Sequence, residues 1–162
     1  MKDLYTFKDY YGNLVRLSFD DHPFSSHPKH VWVICRFKNN WLLTEHLSRG
    51  LEFPGGKVEE GEKPIEAAER EVFEETGGIV EQLVYIGQYQ VYGKSECVVK
   101  NIYFANIGEL IDKNHYYETK GPRLLQGIPK DVKNNRAFSF IMKDDVLNKS
   151  IERLTDEVQF EL

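Results

Sequence analysis

The distribution of apolar and polar positions along the chain sets the first expectations. Tyr5 to Lys8 and Leu14 to Phe19 read as two strands around the turn Tyr11-Gly12-Asn13. His30 to Phe37 contains Val31-Trp32-Val33-Ile34-Cys35, apolar on both faces as in a central strand. Lys38-Asn39-Asn40 turns this segment into Trp41-Leu42-Leu43-Thr44, a hairpin partner. Leu83 to Tyr92 and Val98 to Ile107 are further strands, rich in Val, Ile, Tyr and Phe. Between these pairs lies a helix that opens at Pro64, where the missing N–H costs nothing, and stops at Gly77-Gly78. Ile65, Ala68 and Val72 form its sheet-facing stripe, and Ala67 leaves space beside Glu71. A second helix fits Lys143 to Leu154, with Val146, Ile151 and Leu154 apolar among charges. Residues 20–29 and 114–136 are polar, with Gly, Pro and Asn, and read as loops. The order predicts an α/β fold, a mixed sheet sandwiched by helices, in one domain over 1–162.

Composition narrows the function classes. At 162 residues, 41% hydrophobic and 13% aromatic, the chain has the apolar material for a packed core. Its longest apolar run is far short of the roughly 18 residues that a membrane span needs. Met1-Lys2-Asp3-Leu4-Tyr5 has no apolar segment of the kind an export signal carries. Cys35 and Cys97 form no CxxC, and Cys35 sits in an apolar run, which fits a buried thiol in a reducing cytoplasm. A net charge of −5 argues against a protein that coats duplex DNA or RNA through many phosphate contacts. It leaves room for one that holds the end of a strand.

The candidate chemistry lies in Gly55-Gly56-Lys57-Val58-Glu59-Glu60-Gly61-Glu62 and the helix that follows. At about 100° per residue, Glu71, Glu74 and Glu75 share one helix face. These like-charge pairs cost a few tenths of a kcal/mol each and crowd the helix C-terminus, where the macrodipole disfavours anions. A divalent cation compensates for both, and Mg²⁺ prefers carboxylate and carbonyl oxygens. Lys63 stands where a helix-capping Ser, Thr, Asp or Asn is expected, so the N-cap reads as weak.

Gly56, Glu62, Arg70-Glu71-Val72, Glu74-Glu75 and Gly77, at these spacings, resemble the signature of the Nudix hydrolases. The position after the last glycine departs from it: Gly78 stands where an aliphatic residue is expected, with Ile79 one place late, which predicts a local shift in the helix-to-strand turn. The resemblance implies a loop-helix-loop platform in an α/β/α sandwich, binding Mg²⁺ (or Mn²⁺) and hydrolysing a diphosphate bond. It implies Glu71, Glu74 and Glu75 as metal ligands, with the Gly55 carbonyl as a fourth and Glu62 as a supporting acid. Arg70 would orient the carboxylates.

Leu51-Glu52-Phe53-Pro54-Gly55-Gly56-Lys57 is further similar to the MutT-type nucleoside triphosphate pyrophosphohydrolases. That likeness places Lys57 near phosphate, Phe53 at the base pocket and Glu118 as a late metal ligand or base. Asn134 or Asn135 would read a purine edge, against the alternative of a turn asparagine. Arg49 is a candidate to steady phosphate, whereas the five histidines show no ligand spacing. Across His30–Phe37, Trp41–His46, Val99–Ala105 and Phe138–Asp144 the chain resembles the bacterial RppH/YtkD group. That group implies a nucleoside triphosphate, 8-oxo-dGTP, or the 5′-triphosphate end of RNA as substrate, with pyrophosphate released. An ADP-ribose pyrophosphatase fits less well, since no proline occurs between Pro64 and Pro122. A non-catalytic nucleotide sensor fits less well again, since all three box carboxylates are present.

Overall fold

The computed structural model describes residues 4–158, and Met1-Lys2-Asp3, part of the stretch that reads as no export signal, lies outside them. Nine strands form one sheet: β1 (Leu4–Lys8), β2 (Leu14–Ser18), β3 (His30–Phe37), β4 (Asn40–His46), β5 (Gly50–Glu52), β6 (Gly55–Lys57), β7 (Gly78–Tyr92), β8 (Cys97–Leu110) and β9 (Thr119–Leu125). Helix α1 (Pro64–Thr76) connects β6 to β7, and α2 (Asp145–Val158) follows two short 3-10 turns. The hydrogen-bonded order is β1-β2-β7-β8-β3-β4-β5, with β6 paired to β3 and β9 to β4. Among the named strands only β3 and β8 run parallel, in register from His30↔Lys100 to Phe37↔Ile107.

The apolar run on β3 is explained by what covers it. Val31, Val33 and Cys35 pack with Ala67, Ala68 and Val72 of α1. Trp32 and Ile34, on the opposite face, join Phe53, Tyr89, Phe104 and the α2 residues Val146, Leu147 and Leu154. With both faces buried, the run Val31–Cys35 has no polar position to alternate. The result is the α/β/α sandwich of a mixed sheet between two helices. No helix among the described residues is long and apolar enough to cross a membrane.

Several details depart from the sequence-based expectation. Ile65 is 55% exposed, and Ala67 takes its place against the sheet. Within the expected loop 114–136, β9 adds an edge strand on β4, with Pro122 opposite Thr44. Gly121, at φ +90°, and Pro122 erase the strand signature, and an edge position tolerates a proline. Strands β5 and β6, of three residues each, were hidden in the glycine-rich run. At the start of α1 the Glu66 carboxylate accepts the Lys63 N–H at 2.9 Å, which serves the helix entry that Lys63 itself cannot cap. β7 begins at Gly78, where a Cβ would meet Thr76 Oγ1 at 3.0 Å and Val72 Cγ1 at 3.1 Å. Ile79 turns outward, and the β7–β8 register slips just after it.

Candidate active site

β6 lies antiparallel to the first residues of β3, with Gly55 opposite Trp32 and Gly56 opposite Val31. A Cβ on Gly56 would fall 2.6 Å from Glu71 Cδ, and one on Gly55 would fall 2.5 Å from the Val31 carbonyl oxygen. Glycine at 56 therefore lets main chain run directly beside the acidic face of α1, and glycine at 55 lets it lie close against β3.

Arg70 organises that face. Its guanidinium donates to Glu62 at 2.7 and 2.9 Å, to Glu71 at 2.6 Å, to Glu74 at 3.2 Å and to the Lys57 carbonyl at 3.0 Å. The Arg70 bond keeps the Glu62 carboxyl below its ordinary range. Glu71 shifts the other way, raised by burial although Arg70 opposes the shift. Glu75 is only 7% exposed, and burial beside Glu71 pushes its carboxyl up to about 10. The Gly55 N–H is its backbone donor, at 3.4 Å. A buried acid such as Glu75, whose carboxyl retains its proton at neutral pH, is suited to exchange it for a divalent cation.

The donor chemistry therefore fits Mg²⁺ or Mn²⁺: hard oxygens, more than one negative charge, and open main chain alongside. Among the described residues no three acidic or imidazole side chains already converge at ligand spacing. Glu74 is turned to Arg70 instead.

Other segments hold the end of α1 in place. Thr44 and Thr119 hydroxyls both donate to the Glu75 carbonyl, at 3.0 and 3.1 Å. The Lys113 ammonium reaches the Phe73 and Glu74 carbonyls at 2.9 and 3.1 Å. A cation from a distant segment thus offsets the macrodipole penalty that the acids incur.

The acids line a cavity of about 720 Å³ whose wall also includes Gly55, Lys57, Arg49, Phe53, Glu118, His30 and His46. Arg49 is not free within it: its guanidinium forms a fork with the buried Glu52 carboxylate, both contacts at 2.9 Å. Phe53 is 1% exposed and packs edge-on against Trp32 and Trp41, so it supports the floor from the core. Glu118 projects into solvent from the rim, 3.7 Å from His46 Nε2. Asn134 and Asn135 do not line the cavity. The Asn135 side chain accepts the Ala137 N–H at 3.0 Å, the behaviour of a turn asparagine. A second cavity of about 350 Å³ adjoins the first and shares His30, Lys100, Phe140 and Ile141 with it. His30, His46 and Lys100 were not singled out in the sequence, because cross-strand register brings them to the wall.

Residues 25–145 match the NUDIX domain. The chain belongs to the Nudix family. Over 153 residues it is 60% identical to YtkD of Bacillus subtilis (strain 168), provisionally assigned as an 8-oxo-dGTP diphosphatase, covering 94% of this chain and 97% of that one. The fold superimposes on a crystal structure of a point mutant of the B. subtilis pyrophosphohydrolase BsRppH with a TM-score of 0.93. Identity there is 59%, over 94% of this chain and 96% of the other. A shorter likeness, 40% over 47 residues, relates it to the RNA pyrophosphohydrolase of Bartonella bacilliformis, covering 29% of this chain and 28% of that one. These relatives place the protein among the Nudix hydrolases, enzymes that generally use divalent metal ions.

Proposed function

We propose that this Nudix hydrolase cuts a nucleoside 5′-triphosphate, or the 5′-triphosphate end of an RNA, and releases pyrophosphate. The observation that carries this reading is the wall where Glu71, Glu74 and Glu75 meet the Gly55-Gly56 main chain inside a nucleotide-sized cavity. Glu71, Glu74 and Glu75, with the Gly55 carbonyl, would hold Mg²⁺ or Mn²⁺. Bound there, the cation supplies charge neutralisation for the phosphates and a water of lowered pKa. Arg70 sets the carboxylate rotamers, and Lys57 meets phosphate. Glu118, exposed on the rim, is the carboxylate that is free to approach once substrate fills the cavity, as late ligand or base. Arg49 and Phe53 also line the cavity, Arg49 with its guanidinium paired to Glu52 and Phe53 from the core side.

The 8-oxo-dGTP and RNA assignments of the relatives define the substrate panel. The adjoining chamber provides room for a nucleoside next to the one beside the acids, which favours an RNA end over a lone mononucleotide. The net charge of −5 suits a short single-stranded contact and no duplex DNA or membrane surface. Pyrophosphate release from GTP, 8-oxo-dGTP, triphosphorylated RNA and ADP-ribose, with Mg²⁺ and with EDTA, tests the reading. Turnover is expected for the triphosphates, only with the metal. In ¹⁸O-water, attack at the β-phosphorus puts the label in pyrophosphate and leaves the nucleoside monophosphate unlabelled. Hydrolysis of ADP-ribose alone would make the protein a nucleoside diphosphate-X pyrophosphatase instead.

A further inference from the structure

Between β8 and β9, residues 111–118 form neither helix nor strand, yet they are fastened to one short stretch of main chain. The Ile111 N–H donates to the Gly77 carbonyl at 2.9 Å, and the Lys113 ammonium donates to the Phe73 and Glu74 carbonyls. Thr119, where β9 begins, donates its hydroxyl to the Glu75 carbonyl. All of these acceptors lie in the turn of α1 that carries Glu74 and Glu75 or just past it, where helix carbonyls run short of partners.

Lys113 is the centre of this fastening. Its ammonium lies 4.6 Å from the Phe73 ring centre, 5.2 Å from that of Tyr116 and 5.5 Å from that of Tyr117. Its own N–H donates to the Tyr116 hydroxyl at 2.9 Å. Three aromatic rings and two carbonyls therefore surround one cation, and each ring attracts it through its quadrupole. Tyr117 takes a left-handed conformation, φ +60°, which is uncommon for a residue with a side chain. Such a conformation persists only where the surroundings fix it. Next to it in the chain, Glu118 reaches the rim of the cavity, and its carbonyl accepts the Leu47 N–H at 3.0 Å. The segment is thus a strap, with the end of α1 at one anchor and the β4–β5 turn at the other. Lys113 itself does not line the cavity.

We propose that Lys113 is a positioning residue that ties Glu118 to the C-terminal turn of α1 and so sets the distance between the rim carboxylate and the metal acids. The proposal rests on the hydrolysis reading and deepens it, since Glu118 serves as late ligand or base only when it is held facing Glu74 and Glu75. Small misplacements of a reacting group lower the rate more than they lower binding.

The test compares the wild type with Lys113→Met, Lys113→Arg, Glu118→Gln and the Lys113→Met/Glu118→Gln double variant. Lys113→Met keeps the length and apolar packing of the side chain among the rings, and a melting curve checks that it folds. It should lower kcat for pyrophosphate release by roughly tenfold with KM little changed, the usual cost of losing a group that orients another. Lys113→Arg should restore most of the rate. In the double variant, the Lys113 substitution should cost no more than about twofold beyond Glu118→Gln, because both act on one group. Mn²⁺ should bind Lys113→Met no more weakly than the wild type, whereas loosening of α1 itself would weaken it. In the metal-free protein, hydrogen exchange should quicken at Leu47, Lys113 and Thr119, whose N–H groups bond to the strap, and stay unchanged in α1. Independent losses in the double variant, weaker Mn²⁺ binding or an undiminished rate in Lys113→Met would overturn the proposal. An unchanged rate in Glu118→Gln overturns it too, since Lys113 would then have nothing to position. No turnover of any triphosphate by the wild type overturns the hydrolysis reading, and the exchange pattern alone then decides whether Lys113 anchors the strap.

Discussion

The two walls of the cavity solve opposite electrostatic problems. On the α1 side, four carboxylates are drawn together and a single guanidinium, Arg70, bonds Glu62, Glu71 and Glu74. On the sheet side, Lys57, His30 and Lys100 share a register, and among the described residues no salt bridge reaches them. One wall is held mostly by its own contacts, and the other carries two lysines without an ion pair among the described residues. The difference shows that one cavity can combine a wall whose charges are paired internally with a wall whose lysines have no ion pair among the described residues.

The comparison breaks most visibly at Glu75. Glu75→Gln keeps its size and hydrogen bonding but removes a charge from the proposed metal site, and pyrophosphate release should fall by on the order of 10²-fold or more. Folding remains intact, and the melting temperature in EDTA rises, because the fold no longer has to retain at residue 75 a proton that the unfolded chain releases. Near wild-type turnover would remove Glu75 from the metal platform. Arg70→Met should come next, weakening metal affinity by about 10–100-fold because Glu71 and Glu74 lose the group that orients them. Titration of Mn²⁺ binding reads this directly. Glu118→Gln should cost less than either, since its side chain is 87% exposed and solvent screens it. A pH–rate profile with one limb altered would tie it to proton transfer, and an unchanged profile would make it a loop acid.

A smaller effect sharpens the same contrast without any substrate. Glu75 is raised from 4.5 to about 10. Between those values the folded protein retains a proton that the unfolded chain has released, so stability falls as pH rises. The metal-free melting temperature should therefore decline from pH 5 to pH 9, and saturating Mg²⁺ should flatten the decline. A metal-free curve that rises over this range would show Glu75 to be ionised in the fold. The least effect is expected at Asn135→Ala. Losing its turn hydrogen bond costs about 0.5–1.5 kcal/mol, with KM for purine substrates unchanged. A raised KM would return Asn135 to the base pocket.

The difference between the walls also determines what could be read from the chain. The acidic wall is carried on one loop and one helix, so its spacing is local and a 3.6-residue period exposes it. Gly55 and Gly56 are marked by the family resemblance, and the structure supplies the reason for Gly56, whose main chain passes beside Glu71. The basic wall is assembled from residues far apart in sequence. A lysine at 100 and a histidine at 30 become neighbours only when β8 lies parallel to β3. Arg49 and Phe53 illustrate a third case. Their position near the cavity was legible, but their partners Glu52, Trp32 and Trp41 decide their roles, and those contacts are tertiary. Strand β9 escaped notice because Gly121 and Pro122 read as a turn, and Pro122 is tolerated in a strand only at such an edge.

The parallel pairing of β3 with β8 also governs when the site comes into being. His30 and Lys100 are 70 positions apart (100 − 30), and the whole of β4, β5, β6, α1 and β7 lies between them. Contacts of such separation form slowly, because a long loop must close before they contribute anything. The β7–β8 hairpin, joined by a short turn, can form early and wait. A nascent chain that has reached Gly77 already contains the complete acidic motif, yet it has no β8 on which to seat β3. Catalytic competence therefore arrives with the topological closure of the sheet, well after the motif itself has been synthesised.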